Sequence, residues 1–180
     1  MRPLPAPRHD SWDTTLAAAQ HFVGTPLRDK VVATEVHIRT RYAEYEQASN
    51  TASWHNLAAC SHGQPNQVIC GQLTKGELID LYEAGMVGSE DAAREIYDEI
   101  LVAADGKCPY CGGVGHVGGL DHYLAKSRYP IYSVLPINLV PSCDRCNRLS
   151  GFGVVGSVER QTINPYFDDE RFFTEPWISV

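Results

Sequence analysis

Two Cys-x-x-Cys pairs bracket the residues of this chain that are best suited to chemistry. The pairs are Cys108/Cys111 and Cys143/Cys146. Four thiolates in two close pairs match the tetrahedral coordination of zinc, and sites with four cysteine ligands are closed and structural. A redox motif would not usually occur twice, so the spacing predicts one structural zinc rather than redox motifs or two disulfides. Rubredoxin-like iron is the alternative metal.

Asp121 and His122 lie between the two pairs, at the end of a predicted strand over residues 117–123. Adjacent strand residues point to opposite faces, so these side chains diverge unless the strand ends there and the backbone bends. Carboxylate and amide oxygens, here from Asp121 and Asn147, are hard ligands for Mg²⁺, and a neutral imidazole can take a proton from water. Taken singly, the three residues are more simply a surface aspartate, a core histidine and a capping asparagine.

The order Asp-His, Asn-Leu, Cys-x-x-Cys-Asn resembles the zinc-containing HNH endonuclease family. The resemblance covers Cys108 to Gly151 and implies a ββα-metal (treble-clef) unit, in which a zinc-stapled hairpin and a helix surround one catalytic cation. It implies that His122 is the general base and that Asp121 and Asn147 bind Mg²⁺ or Mn²⁺. Asn138 would tie down the loop that orients His122, and Asn147 replaces the final histidine of the family name.

Two positions depart from the pattern of many family members. Ala125 stands where they carry proline, which should loosen the loop slightly, and Ser150 stands where they carry a lysine that can contact phosphate. The catalytic set is nevertheless complete. The possible phosphate contacts that remain are Lys126, Arg128, Arg145 and Arg148.

The charge distribution bears on DNA binding. The formal net charge is −7, which is unusual for a free-standing DNA-binding protein because phosphate contacts need cations. Residues 105–151 carry five basic and three acidic groups, a local charge of +2, and the other segments together carry −9. On charge alone, the basic groups fit phosphate contacts and an ordinary solvated surface equally well. Weak intrinsic DNA binding is expected in either case.

The composition indicates an intracellular protein of one domain or two small ones. The chain has 180 residues and no apolar run near the ~18 residues of a membrane helix. Its first residues lack the apolar core of a signal peptide, and six cysteines, four of them in the predicted metal site, fit a reducing compartment. A cytoplasmic location is therefore expected.

The predicted fold class is α+β. A mainly helical region over residues 1–104 should precede the nuclease unit at 105–151 and an aromatic tail at 152–180. We expect a disordered or loosely docked arm over 1–7 and a loop with short helices over 50–72. Helices are predicted from a cap at Ser11 or Asp13 to residue 23, over 27–48, over 74–84 with a Thr74/Glu77 capping box, and over 89–104 with a Ser89 cap.

Other histidines and cysteines give weaker signals. Cys60, Cys70, His55 and His62 could suggest a second metal site, but their spacing is irregular and free cysteines are often simply buried. His116 lies in a glycine-rich link and is expected to be exposed, although it could reach the cation or a phosphate.

The C-terminal tail is rich in aromatic residues. We expect it to pack back on the chain, because aromatic side chains dominate core burial, with docking of a partner as the alternative. Its Asn-Pro-Tyr-Phe-Asp stretch is similar to that of small HNH proteins of bacterial anti-phage systems, in which the nuclease is paired with an ATPase. The tail aromatics are Tyr166, Phe167, Phe172, Phe173 and Trp177.

These observations predict a metal-dependent DNA endonuclease that works with a protein partner. The resemblance implies that the partner is an ATPase and that the pair belongs to a bacterial defence system. A non-catalytic zinc module that binds nucleic acid or protein is the alternative. It explains the four cysteines but leaves Asp121, His122, Asn138 and Asn147 unexplained as a set.

Overall fold

The computed structural model describes residues 1–150 and 153–175 and shows helices packed with two small antiparallel sheets, so the chain is of mixed α and β structure. The predicted role of Trp177 lies outside the described residues. The helices are α1 Ser11–Gln20, α2 Pro26–Ala33, α3 Glu35–Asn50, α4 Lys75–Tyr82, α5 Ala92–Val102, α6 Asp144–Ser150 and α7 Arg171–Thr174. The strands are β1 Val68–Cys70, β2 Leu73–Thr74, β3 Gly119–His122 and β4 Leu139–Ser142.

The first helix is capped one residue earlier than predicted. Asp10 is the N-cap, and its carboxylate accepts hydrogen bonds from the main-chain amides of Trp12 at 2.8 Å and Asp13 at 2.9 Å. The predicted caps Ser11 and Asp13 are therefore inside the helix. Aspartate in an extended conformation is well suited to this position because its short side chain reaches back to the free amides of the first turn.

The predicted helix over 27–48 is wrong in its continuity. Two helices, α2 and α3, meet at Thr34, whose amide still donates to the carbonyls of Lys30 and Val31. Gly71, in the turn between β1 and β2, comes so close that a Cβ there would lie 2.7 Å from the Thr34 side chain. Strand β1 and the turn after it lie in the stretch 50–72, which is predicted to be a loop with short helices, and β2 follows directly at Leu73–Thr74.

The capping box of α4 is confirmed. The Glu77 carboxylate accepts from the Thr74 amide at 2.9 Å, and the Glu77 amide donates to the Thr74 hydroxyl at 3.3 Å. The helix gives way to a wide turn over Glu83–Val87, where a Cβ on Gly85 would lie 2.4 Å from the Ala18 carbonyl oxygen. Glycine thus allows α1 to approach this turn closely.

One continuous hydrophobic core joins the helical region to the segment with the cysteine pairs. The large side chains that it buries completely come from both regions, for example Tyr45 and Trp54 from the first and Leu124, Tyr132 and Leu135 from the second. The segment with the cysteine pairs therefore packs directly on the helices that precede it.

The N-terminal arm is docked rather than disordered. The Arg2 amide donates to the Pro109 carbonyl and the Leu4 amide to the Pro165 carbonyl, each at 2.9 Å. Through these two hydrogen bonds the arm connects the first cysteine pair to the C-terminal segment. The Leu4 side chain is also buried. Within the described residues, no helix is both long and apolar enough to cross a membrane.

Candidate active site and metal centre

The four predicted cysteines come together in one cluster. The Sγ atoms of Cys108, Cys111, Cys143 and Cys146 all lie within 4.8 Å of one another. Tetrahedral zinc with Zn–S bonds of about 2.3 Å places its sulfur atoms about 3.8 Å apart, so only small side-chain movements would complete the coordination. The cluster can therefore hold a metal ion such as zinc. In the part of the chain that the structure describes, it is the only group of three or more potential metal ligands.

The turn after the first cysteine pair is built around glycine. Gly112 and Gly113 have φ angles of +67° and +93°, which L-residues with side chains rarely adopt. The Gly115 amide donates to the Cys111 sulfur at 3.2 Å, and a Cβ on Gly115 would lie 2.6 Å from the Cys143 sulfur. The chain thus passes close to the thiols only because this position lacks a side chain.

The thiols influence one another's ionisation. Burial opposes ionisation of Cys108, but hydrogen bonds from backbone amides, including those of Cys143, Cys111 and Tyr110, outweigh it and lower its pKa to about 7. Burial and the neighbouring thiols raise the pKa of Cys146 well above its usual value. Four thiolates at this spacing repel each other, so a bound cation is what allows all four to ionise together.

The strands β3 and β4 form the hairpin that carries the predicted catalytic residues. Asp121 is opposite Val140 and His122 is opposite Leu139. The outer edge of β3 is held by tyrosines from two helices. The Tyr82 hydroxyl on α4 donates to the Leu120 carbonyl, and the Tyr97 hydroxyl on α5 accepts from the Leu120 amide, each at 3.3 Å. The helical region therefore provides hydrogen-bond partners for the amide and carbonyl of Leu120 on the unpaired side of β3, in a sheet of two strands.

His122 is fixed in one tautomer by a main-chain contact. Its Nε2 lies 2.9 Å from the Ser133 carbonyl oxygen, which can only accept, so Nε2 carries the proton in the neutral ring. Nδ1 is then the basic nitrogen. Ser133 is itself held by donation of its hydroxyl to the Leu78 carbonyl of α4, and the Tyr82 ring meets the imidazole edge-to-face at a centroid distance of 4.4 Å.

Burial keeps the His122 imidazole neutral. Its side chain lies in a poorly solvated environment, and this burial is the main cause that lowers its pKa to about 3. The positive charge of Lys126 lowers the pKa further, whereas the hydrogen bond to Ser133 opposes the shift. The ring is thus unprotonated at neutral pH, as a general base must be, although a pKa this low makes it a weak base before substrate is bound.

Asp121 and His122 line the same cavity, which has a volume of about 280 Å³ and is also lined by Cys146. Strand β3 ends at His122, which is the condition under which two adjacent side chains can converge. Both are buried, with 6% and 9% of their surface exposed. Asn147 has a different position. It is exposed on α6, its amide donates to the Cys143 carbonyl at 3.0 Å, and it is not part of the cavity lining.

Asn138 is completely buried and makes a network of hydrogen bonds. Its Oδ1 accepts from the Leu124 amide at 2.8 Å and from the Tyr45 hydroxyl at 3.1 Å. Its Nδ2 donates to the carbonyls of Leu124 at 3.2 Å and Tyr132 at 3.0 Å. The Asn138 carbonyl also accepts from the Tyr123 amide at 2.9 Å. Asn138 thereby fixes the two residues that follow His122, Tyr123 through its main-chain carbonyl and Leu124 through its side chain.

The four basic residues singled out from the sequence are in different environments. Lys126 makes an ion pair with Glu83 at 3.1 Å and lies 4.8 Å from the centre of the Tyr82 ring. Arg128 is partly buried, whereas Arg145 and Arg148 are exposed on α6. Lys126 is the one whose charge acts on His122.

Arg160 is a cavity-lining residue that the sequence pattern did not single out. It lies 38 positions after His122 in a short 3₁₀ turn, Val158–Arg160, yet it borders the same cavity. No motif spans this distance, so only a three-dimensional fold brings the two together. Tyr82 and Tyr97 were missed for the same reason.

The weaker sequence signals have ordinary structural positions. Cys70 is buried, the Cys60 sulfur contacts the Ser127 carbonyl at 3.7 Å, and His55 Nδ1 lies 3.0 Å from the Gln161 side chain. His116 is exposed, as expected, and pairs with Lys107 in an isolated β-bridge.

Comparison with known proteins gives a similarity that extends over nearly the whole chain. The chain is 32% identical over 180 residues to protein ea31 of Escherichia phage lambda, and the match covers 99% of this chain and 60% of that protein. The chain thus spans about three-fifths of the length of this relative. No protein-family model matches the chain, and no solved structure matches it.

Proposed function

We propose that this protein is a metal-dependent endonuclease that hydrolyses phosphodiester bonds in DNA. One observation carries the proposal most directly. His122, with its proton committed to the Ser133 carbonyl, and the carboxylate of Asp121 line one cavity beside the four-cysteine cluster. A neutral imidazole next to a carboxylate is the pair that metal-assisted attack of water on a phosphodiester requires.

In this proposal the four cysteines hold zinc, which ties the first turn to α6 and takes no part in the chemistry. His122 accepts the proton of the attacking water at Nδ1. Ser133 holds the ring through Nε2, so the imidazole keeps its orientation while the proton moves. Asn138 fixes the loop behind it.

Asp121 and Asn147 are proposed to hold a single divalent cation, and the chemistry of the donor set fits Mg²⁺ or Mn²⁺ because both ligands offer oxygen. When bound, the cation would neutralise charge that develops on the phosphate and on the leaving oxygen. Asn147 lies on the exposed surface of α6 directly after Cys146, so it can supply a ligand only at the rim of the cavity.

The test is cleavage of a supercoiled plasmid by the full chain with added Mg²⁺ or Mn²⁺. We expect His122→Ala to lower the rate by about 10²–10⁴, the usual effect of removing a general base, while zinc content stays the same. Asp121→Ala and Asn147→Ala should instead move the metal-activation midpoint to higher concentration. Full cleavage activity of His122→Ala would mean that another residue is the general base. If the metal-activation curves of Asp121→Ala and Asn147→Ala overlay that of the unsubstituted protein, other groups bind the cation.

A non-catalytic zinc module is the second candidate, and one observation favours it. Asp121 and His122 are both buried, and the pKa of His122 is about 3, which is low for a general base. Absence of cleavage with either metal, together with salt-sensitive DNA binding, would support this candidate. Partnership with an ATPase and a role in a defence system stay predictions.

A further inference from the structure

The cavity at Asp121 and His122 is closed on one side by the segment over residues 153–163. Val154, Val155 and Arg160 of this segment line it. In a double helix every base is stacked and paired, so a base can enter this cavity only if it is turned out of the duplex. An unpaired nucleotide can turn into a pocket at much lower cost.

The walls of the cavity suit the face of a nucleobase. Besides the catalytic pair, the lining is mostly aromatic and aliphatic, and includes Tyr110, Leu149, Val155 and Ile163. Stacking and apolar contact with such surfaces bind bases without regard to sequence. The volume of about 280 Å³ is close to the smallest ligand pockets, which begin near 300 Å³. It therefore suits one nucleotide and not several.

Arg160 adds a cation at this cavity. Other arginines, such as Arg94 and Arg171, make ion pairs with Asp98 and Asp169 at 3.0 Å. Arg160 is exposed and makes no ion pair with any residue of 1–150 or 153–175. A guanidinium that no carboxylate of the described residues neutralises is suited to two parallel hydrogen bonds to a phosphate group.

We propose that the cavity receives one unpaired nucleotide of single-stranded nucleic acid, with its base against the apolar wall and its phosphate on Arg160. This inference rests on the proposed function, since it names the substrate form that the same site accepts. Arg160 then serves as a substrate-binding residue outside the motif that carries Asp121 and His122. It supplies a phosphate contact although Ser150 replaces the lysine that many family members carry.

The first test is binding of the full-length, zinc-loaded protein in buffer without Mg²⁺ or Mn²⁺, measured by fluorescence anisotropy. The probes are labelled dT12, the same strand paired with dA12, and a 12-mer of abasic deoxyribose phosphates. We expect dT12 to bind about tenfold more tightly than either other probe, since stacking of one base contributes about 1–3 kcal/mol. Equal or tighter binding of the duplex, or equal binding of the abasic strand, would overturn the proposal.

The second test separates a phosphate contact from a structural role of Arg160. Arg160→Ala should weaken dT12 binding about tenfold and reduce the slope of log K against log salt by about 0.7, the value for one phosphate contact on a single strand. Arg160→Lys should restore the slope. Arg171→Ala removes the same charge from the same tail and should change neither quantity. An unchanged slope in Arg160→Ala would contradict the assignment.

The two proposals fail in different ways. If dT12 binds preferentially through Arg160 but no probe is cut with Mg²⁺ or Mn²⁺, the proposed nuclease function is wrong and the nucleotide site stands. If duplex is cut in a His122-dependent reaction that Arg160→Ala leaves unchanged, and dT12 is not preferred, the nuclease function stands and the nucleotide site is wrong.

Discussion

Asn138 and Asn147 belong to the same motif but lie in opposite environments. Asn138 is fully buried, and its amide satisfies both main-chain groups of Leu124. Asn147 is exposed on α6. A buried amide with four partners acts on stability and on the position of its neighbours, whereas an exposed amide contributes less to stability. The two residues should therefore respond differently to the same substitution.

We predict that Asn138→Ala lowers the free energy of unfolding by about 3 kcal/mol or more, because it leaves two buried main-chain groups of Leu124 without partners, at about 1–3 kcal/mol each. Asn147→Ala is the matched control and should change it by less than about 0.5 kcal/mol, as is usual for exposed positions. Urea denaturation of the zinc-loaded protein measures both. Similar losses for the two variants would show that Asn147 has a structural role.

At the scale of elements, the glycine turn after the first cysteine pair decides whether the metal cluster can form. Cys108 and Cys143 are on different segments, and Gly115 at the end of the turn lies directly against the Cys143 sulfur. Helix α6 has only 7 residues and carries Cys146, and the first cysteine pair lies in a turn without helix or strand. Metal binding and local folding should therefore be coupled, as in other small metal-stapled units.

We predict that Gly115→Ala reduces bound zinc to well below one ion per chain and lowers the melting temperature, because the new Cβ would lie 2.6 Å from the Cys143 sulfur. Gly156→Ala is a suitable control, since a Cβ there meets nothing within 4 Å. Elemental analysis and thermal unfolding report the two effects. Stoichiometric zinc in Gly115→Ala would mean that the turn can shift without cost.

Elements were predictable from sequence where their signals are local. The α4 capping box involves residues three positions apart, and each cysteine pair has a short fixed spacing, so both could be recognised directly. The break at Thr34 has no local signal of this kind, and the turn at Gly71 that packs against Thr34 lies 37 positions later in the chain. The tyrosines that hold β3 and the arginine at the cavity come from distant segments, and no local pattern reports such contacts.

At the scale of the whole molecule, the C-terminal segment belongs to the core as well as to the cavity wall. Asn164 is fully buried, and the Tyr166 hydroxyl donates to the Leu139 carbonyl of β4 at 2.6 Å. The Phe167 ring lies 6.2 Å from that of the buried Trp54. Truncation before Asn164 would therefore expose the core and could not test partner docking by itself. Phe172, with 43% of its surface exposed, is the better position to probe a docking surface.

A pair of identical substitutions in this tail separates core packing from docking. We predict that Phe167→Ala lowers the free energy of unfolding by about 2–4 kcal/mol, because it leaves a cavity against Trp54, while Phe172→Ala costs less than about 1 kcal/mol. Urea denaturation gives both values.

If the tail also docks a partner, Phe172→Ala should reduce recovery of a co-purifying protein while basal cleavage and stability are retained. Unchanged recovery with Phe172→Ala would exclude this side chain from docking, and equal stability of the two variants would show that Phe167 is not part of the core.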